Sequence, residues 1–308
     1  MSVLVLGSLN IDLVVRTPRF PLAGETLTGR SFFQAYGGKG ANQAVAAARI
    51  GAETKMFGRV GDDFFGEGLR QQLEAAGIDS NGVSVAAGEA SGIALITIAD
   101  NAQNQIIIVQ GANGLVGANE ISNLRAALAG AKVLLLQLEI PLETVYQAAK
   151  IAAESGLTVV LDPAPVPVEK LPDRLYEYVS ILTPNETEAA SLVGFPLTDE
   201  MAIKEAGRVL HRRGSKVVII KLGSRGIFWT DGKVEEFRPT FPVQVIDTVG
   251  AGDAFNGALA TALVEGQTLP KALNWGLAGG ALAVTRPGAQ SAMPYREEVA
   301  KLLLQTHF

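Results

Sequence analysis

The chain has 308 residues and 48% of them are hydrophobic, enough for one large α/β domain or two smaller ones with an ample core. A formal net charge of −5 argues against nucleic acid or an anionic membrane surface as the main partner. The absence of cysteine excludes disulfides, thiol catalysis and thiolate metal sites, and fits a cytoplasmic location.

Met1 leads directly into an apolar strand at residues 3–6, without the basic segment of a signal peptide. No apolar run approaches the ~18 residues of a membrane-spanning helix. The strand ends in Gly7-Ser8-Leu9-Asn10-Ile11-Asp12, with one glycine where a dinucleotide-binding turn needs more. It offers instead an amide, Asn10, and a carboxylate, Asp12, which suit sugar hydroxyls because those need both donors and acceptors. Residues 11–35 have β character with no helix between. Tyr36-Gly37-Gly38-Lys39-Gly40-Ala41-Asn42-Gln43-Ala44 then precedes a helix predicted near 41–50. Its three glycines permit close backbone approach to a ligand, and Lys39 and Asn42 add a cation and an amide. Lys39 is followed by Gly40 rather than Ser or Thr, so this is not a P-loop.

Strand-like runs at 54–59, 132–138, 157–161, 181–182 and 216–221 alternate with helical patterns near 65–76, 121–129, 142–154, 186–193 and 199–212. The alternation predicts an α/β fold: a mostly parallel central sheet flanked by helices on both faces, with ligands at the C-terminal ends of the strands. Residues 91–109 break it with a second β-rich stretch. Together with 11–35 they are expected to form a small β-sheet lid across the mouth of the main domain, with edges and apolar faces that suit a dimer surface. There is no linker; the Pro-rich residues 162–167 read as a rigid loop. The expectation is a single domain, 1–308, with lid strands inserted at about 11–35 and 91–109. The two histidines are His211, beside Arg212 and Arg213 near a helix end, and His307 in the tail. Neither reads as a catalytic base, so acid–base work falls to carboxylates or lysines.

The most informative segment is Asp247-Thr248-Val249-Gly250-Ala251-Gly252-Asp253-Ala254-Phe255-Asn256-Gly257. A β-rich stretch, 241–246, runs into a small-residue turn and then an apolar helix predicted at 254–264, followed by another at 270–284. Gly250, Ala251 and Gly252 allow backbone N–H groups to point at one spot at a helix N-terminus, which makes an anion hole. Asp253 stands at its mouth. It either caps the helix or takes a proton from a hydroxyl that attacks a phosphate held there.

Together these residues resemble the ribokinase (PfkB) family of carbohydrate kinases, over essentially the whole chain. Gly37, Gly38, Gly40, Asn42, Ala44, Gly51 and Gly61 meet the first family signature, and residues 247–259 the second, about 200 residues later. Thr183-Pro184-Asn185-Glu186-Thr187-Glu188 looks like the family's Asn-x-x-Glu element, and Leu222-Gly223-Ser224-Arg225-Gly226 like its nucleotide loop. Gly24-Glu25-Thr26, Gln137-Leu138-Glu139 and residues 285–290 look most like the ribose-phosphorylating members.

The resemblance implies a three-layer sandwich with a lid, and transfer of phosphate from ATP to O5 of D-ribose. Asp253 would be the base, and the backbone of Gly250, Ala251 and Gly252 would hold charge on the γ-phosphoryl group. Beside a helix N-terminus that carboxylate is expected to have a low pKa, which dissociative phosphoryl transfer tolerates. Asn10, Asp12, Gly38, Lys39, Asn42 and Glu139 would hold the sugar. Taken alone, Asp12 could equally cap a turn, Lys39 be solvated and Glu139 cap a helix. Asn185, Lys221, Gly223, Ser224, Gly226, Gly252 and Leu277 would hold the nucleotide, and Asn185 and Glu188 would act through water on Mg²⁺, with Glu186 as competitor. K⁺ would sit on the Asp247 carboxylate and the carbonyls of Val249, Ala283, Arg286 and Gly288. Departures are Ala292, where some relatives carry a hydroxyl; Lys221, where some have Thr; and Leu277, where some have His. A homodimer through the lid is expected. The alternatives are fructokinase or another sugar or nucleoside kinase, a sugar-phosphate kinase using Arg16, Arg19 and Arg30, and a non-catalytic sugar sensor. A dinucleotide-binding oxidoreductase is disfavoured.

Overall fold

The computed structural model describes residues 1–101, 103–168 and 170–305. His307, and Ala102 within the β-rich segment 91–109, lie outside them. The chain opens with β1 (Ser2–Leu6), whose residues are all buried. Val3 and Val5 point into one helical layer and Leu4 and Leu6 into the other, because successive strand side chains alternate faces. A strand covered on both sides reads as a continuous apolar run for this reason.

Next come β2 (Asn10–Thr17), β3 (Ser31–Gly37), α1 (Lys39–Arg49), β4 (Thr54–Gly61), α2 (Phe64–Ala75), β5 (Asp79–Ala86), β6 (Gly92–Ala99) and β7 (Asn104–Val109). They are followed by α3 (Ala118–Ala127), β8 (Ala131–Leu136), α4 (Leu142–Glu154), β9 (Thr158–Leu161), α5 (Asp173–Tyr176), β10 (Ile181–Leu182), α6 (Glu186–Val193) and α7 (Glu200–Arg212). The last are β11 (Val217–Lys221), β12 (Ile227–Thr230), β13 (Glu235–Arg238), α8 (Ala251–Val264), α9 (Leu269–Ala283) and α10 (Arg296–Gln305).

Among the described residues, nine strands form the main sheet in the order β13-β12-β11-β10-β9-β8-β1-β4-β5. It is parallel from β11 to β5, and β12 and β13 extend it antiparallel at one edge. Side chains of α1, α2, α8, α9 and α10 fill one face, and those of α3 to α7 the other. A second sheet has the order β3-β2-β6-β7, with β2 antiparallel to β3 and parallel to β6. The predicted β stretch 11–35 is therefore two strands, separated by a loop that Arg19 closes by donating to Glu25.

Several expectations shift. Residues 241–246 form no strand. Pro242 brings no N–H to a ladder, and the N–H groups of Ile246 and Asp247 donate to the Val284 carbonyl instead. Helix α8 begins at Ala251, three residues before the predicted start, because Gly250 caps it in the left-handed region with φ 75°. Strand β5 escaped notice because Asp79, Asn81 and Gly82 dilute its apolar pattern. The β12–β13 hairpin and α10 were also not anticipated.

Helices α1 and α8 cross closely. The Thr261 hydroxyl donates to the Ala47 carbonyl at 3.3 Å. A Cβ on Gly257 would stand 2.5 Å from the Ala46 methyl and 2.8 Å from the Ala47 nitrogen. We expect Gly257→Ala to destabilise the protein by about 1–3 kcal/mol by forcing these helices apart. Urea unfolding checks this, and an unchanged midpoint would show that the crossing has slack.

Candidate active site

The glycine-rich segment lies across the C-terminal end of β1. Gly38 has φ 88°, and a Cβ there would stand 2.7 Å from the Asn10 nitrogen and 2.8 Å from the Ser8 carbonyl oxygen. The chain can therefore turn from β3 into α1 directly on top of β1. Lys39, the first residue of α1, donates its backbone N–H to the Glu139 carboxylate at 3.1 Å, and the Ser8 hydroxyl donates to the same oxygen. Asn10 is oriented by a residue not singled out in the sequence. Asn113, 1% exposed, donates to Asn10 Oδ1 at 2.7 Å and accepts from the Leu9 N–H at 2.9 Å. Asn10 thus keeps its own amide N–H groups for a ligand. Burial, reinforced by Glu139, raises the Asp12 carboxyl to about 7.

Asp253, in the first turn of α8, is 5% exposed. Its Oδ2 accepts from Asn42 Nδ2 at 3.0 Å and its Oδ1 from Gln43 Nε2 at 3.1 Å. The same Gln43 nitrogen donates to Asp162 Oδ2 at 3.0 Å, and Asp162 Oδ1 accepts from Lys221 Nζ at 2.8 Å. Gln137 Nε2 donates to Gln43 Oε1 at 2.7 Å, which fixes the direction of the Gln43 amide. Burial raises the pKa of Asp253; Lys39 opposes it, Asp162 adds to it, and the two amides oppose it. This is opposite to the low pKa expected from the helix N-terminus, because burial removes the water that would solvate the ionised form. Among the described residues no donor reaches the buried Asn42 Oδ1, an acceptor beside Asp253. Burial pulls the Lys39 ammonium down, but Asp253, Asp162, Glu139 and Glu188 together hold its pKa above the ordinary lysine value.

A cleft of about 820 Å³ opens over the N-terminus of α8. Of the predicted residues, Lys39, Asn185, Glu188, Lys221, Gly223, Ser224, Gly226, Gly250, Ala251, Gly252, Asp253 and Leu277 line it. Asn10, Asp12, Gly38, Asn42 and Glu139 do not; they gather beyond Asp253 and Lys39, around the ends of β1 and β2. Asp253 therefore stands between two sets of groups. The apolar wall comes from Ile227, Phe241, Pro242, Val243 and Val245 with Leu277. Four residues of the predicted β-rich stretch 241–246 thus serve this wall. Asp162, Gln43 and Gln137 carried only generic signals: a strand end, and amides within quoted motifs.

Asn185 caps α6. Its Oδ1 accepts from the Glu188 N–H at 2.8 Å, and Glu188 accepts from the Asn185 N–H at 2.7 Å. The pKa of Glu188 is raised by burial and by Asp162. Glu186 points away and pairs with Arg225. Beside the start of α8, Asp247 clasps two loops: it accepts from the Val249 N–H at 3.0 Å and from the Gly288 N–H at 2.9 Å. Ala283 and Ala292 are buried here, and Arg286 pairs with Glu298. Among the described residues no group of three or more His, Cys, Asp or Glu side chains is arranged to hold a metal ion.

The raised pKa of Asp12 has a signed consequence. Between about pH 4 and 7 the folded chain holds a proton that the unfolded chain has released, so stability falls as pH rises through that window. Asp12→Asn should gain stability over the unmodified chain across the same window, by on the order of 2 kcal/mol above pH 7. Denaturant midpoints at pH 4.5 and 8 check this; a constant difference between the two proteins would show that the carboxyl titrates normally.

The chain matches the pfkB family carbohydrate kinase profile over residues 1–296. It is 42% identical to a ribokinase of Haemophilus influenzae over 299 residues, covering 97% of each chain. It is 36% identical to a deoxyribokinase of Salmonella typhi, covering 98% of this chain and 99% of that one. The structure of Arabidopsis thaliana ribokinase complexed with ribose and ATP superimposes with a TM-score of 0.90 at 35% identity, covering 98% of each. A buried carboxylate between two sets of polar groups, on a fold shared along its full length with these proteins, has one reading: the chain belongs to the pfkB family of carbohydrate kinases.

Proposed function

We propose that the chain transfers the γ-phosphoryl group of ATP to O5 of D-ribose, giving D-ribose 5-phosphate and ADP. The observation that carries this is the position of Asp253, buried between the hydroxyl-binding set and the cleft, with a raised pKa. The sugar lies against Asn10, Asp12, Gly38, Lys39, Asn42 and Glu139, with the second sheet as its lid. ATP lies in the cleft, its base against Leu277 and the apolar wall and its phosphates toward α8. A raised pKa suits Asp253 to accept the O5 proton as the new P–O bond forms. The N–H groups of Gly250, Ala251 and Gly252 and the Lys39 ammonium stabilise the charge on the transferring group.

Mg²⁺ would be held through water by Asn185 and Glu188. The raised pKa of Glu188, in a site with Asp162, marks a carboxylate that gains from a cation. When bound, the ion neutralises phosphate charge. K⁺ fits the oxygen-only donors of the Asp247 loop, with carbonyls of Val249, Ala283, Arg286, Gly288 and Ala292; Ala292 offers no hydroxyl. The unit is read as one domain, 1–308, in the cytoplasm, consistent with a cysteine-free chain that uses ATP. No helix among the described residues is long and apolar enough to cross a membrane.

A sugar-phosphate kinase is disfavoured because the candidate lid cations are engaged: Arg19 with Glu25 and Arg30 with Asp100, leaving Arg16. Deoxyribose is the competing substrate that the Salmonella typhi relative brings in. ADP release with ATP and Mg²⁺ should be fastest with D-ribose, against D-fructose, 2-deoxyribose and adenosine, and should rise with K⁺. Preference for another sugar would discard the ribose assignment and keep the base. Asp253→Asn should bind ribose normally and lose about 10²–10⁴-fold in kcat; near-normal turnover would remove Asp253 from the mechanism. The exposed apolar residues Phe32, Leu95, Ile106, Ile107, Ile108 and Val109 of the second sheet support a homodimer through the lid. Light scattering should give twice the chain mass, and a monomer would refute it.

A further inference from the structure

We propose that Lys221 is a catalytic cation: held by Asp162 over the N-terminus of α8, its ammonium contacts the terminal phosphoryl group of the nucleotide and neutralises charge during transfer. This deepens the kinase reading above and rests on it. Lys221 ends β11, where its N–H donates to the Pro184 carbonyl at 2.8 Å and its backbone bridges to Asn185. The side chain is 15% exposed and faces an Asp162 that is 2% exposed. A Cβ on Gly252 would stand 3.1 Å from Lys221 Nζ. The ammonium therefore lies against the first turn of α8, on the wall of the cleft, beside the N–H groups of the anion hole.

The plain alternative is that Lys221 only neutralises Asp162. Two observations favour more. An ammonium has three donors, and among the described residues Asp162 is its one hydrogen-bond partner, so the others are free toward the cleft. The ion pair is also tied to the base. One Gln43 nitrogen serves both Asp162 and Asp253, and Gln137 fixes that amide, so Lys221–Asp162–Gln43–Asp253 is a continuous hydrogen-bonded chain. It links the cation and the base through one amide, both at the first turn of α8. Charge balance asks for such a cation, because Asp162, Glu188 and Asp253 would all face an incoming polyphosphate that Lys39 alone does not offset.

In the step, the bond from O5 to the γ-phosphorus forms as the bond from that phosphorus to the bridging oxygen breaks. The O5 proton passes to Asp253, and the electron pair of the broken bond leaves on ADP. Lys221 keeps its proton throughout and contributes charge only.

Lys221→Met alone would strand a buried carboxylate, so the decisive protein is the double variant Lys221→Met with Asp162→Asn, which removes the cation and leaves no orphan charge. Its kcat should fall about a hundredfold, with the KM for ribose within about twofold of the unmodified chain. ATP should bind more weakly by titration while AMP binds as before. Lys221→Arg should recover most of the rate, since it restores a cation at the same place. Wild-type kcat in the double variant would show that the lysine serves only to neutralise Asp162. Equal loss of ATP and AMP binding would show a collapsed cleft, and either result overturns the proposal. If the unmodified chain phosphorylates no sugar, the kinase reading falls separately, and the ATP-against-AMP comparison alone decides whether Lys221 meets the phosphate.

Discussion

The site depends on how closely α1 and α8 approach. Gly257 presents no side chain to Ala46 and Ala47, and this lets the two helix N-termini lie side by side at the end of β1. From that one packing contact follow the reach of Asn42 and Gln43 to Asp253, and the exclusion of water that raises its pKa. A wider crossing would leave Asp253 solvated, with an ordinary carboxylate pKa and no amide cage. The precision of the site thus comes from helix packing in the core rather than from the loops above it.

Electrostatics then sets what can enter. Asp253, Asp162 and Glu188 face Lys39 and Lys221 across a helix N-terminus. Burial penalises the charges of Asp253, Glu188 and Lys39, and nearby groups of opposite sign offset part of that cost. The amides of Asn42, Gln43 and Gln137 fix the carboxylates in direction without adding charge. An anion bound over α8 meets peptide N–H groups and two ammoniums, while a hydroxyl arriving from the other side meets acceptors. The two halves of the site are chemically opposite, which is the arrangement phosphoryl transfer between unlike partners requires.

Much of this was legible in the sequence. The Gly37–Gly40 run and the Gly250–Asp253 turn declare themselves because close backbone approach admits only small residues, and the alternation of strands and helices gave the parallel sheet. Less visible were features that depend on contacts distant in sequence. Asn113 reaches Asn10, and Asp162 meets Lys221 across 59 positions, with nothing local to announce either pair. Residues 241–246 look like a strand because an apolar cleft wall and a sheet face share the same pattern, and only the missing ladder partners distinguish them. The pKa of Asp253 went in the opposite direction from expectation because a dipole is visible in sequence, whereas depth is not.

Two groups in the site carry costs that a hydroxyl-bearing ligand would relieve. Asn42 Oδ1 is buried with no donor among the described residues, and burial, reinforced by Glu139, disfavours ionisation of Asp12. A hydroxyl donor would satisfy either group, and at Asp12 it would favour the ionised form. β2 begins at Asn10 and carries Asp12, so two of the proposed sugar contacts lie on the same strand that pairs with β3 and β6 in the second sheet. On the proposed function, the same two residues would meet the sugar and root the second sheet. Under that proposal, a cover rooted at the sugar contacts would exclude water from the phosphoryl group, because the groups that meet the sugar would also carry the structure over it.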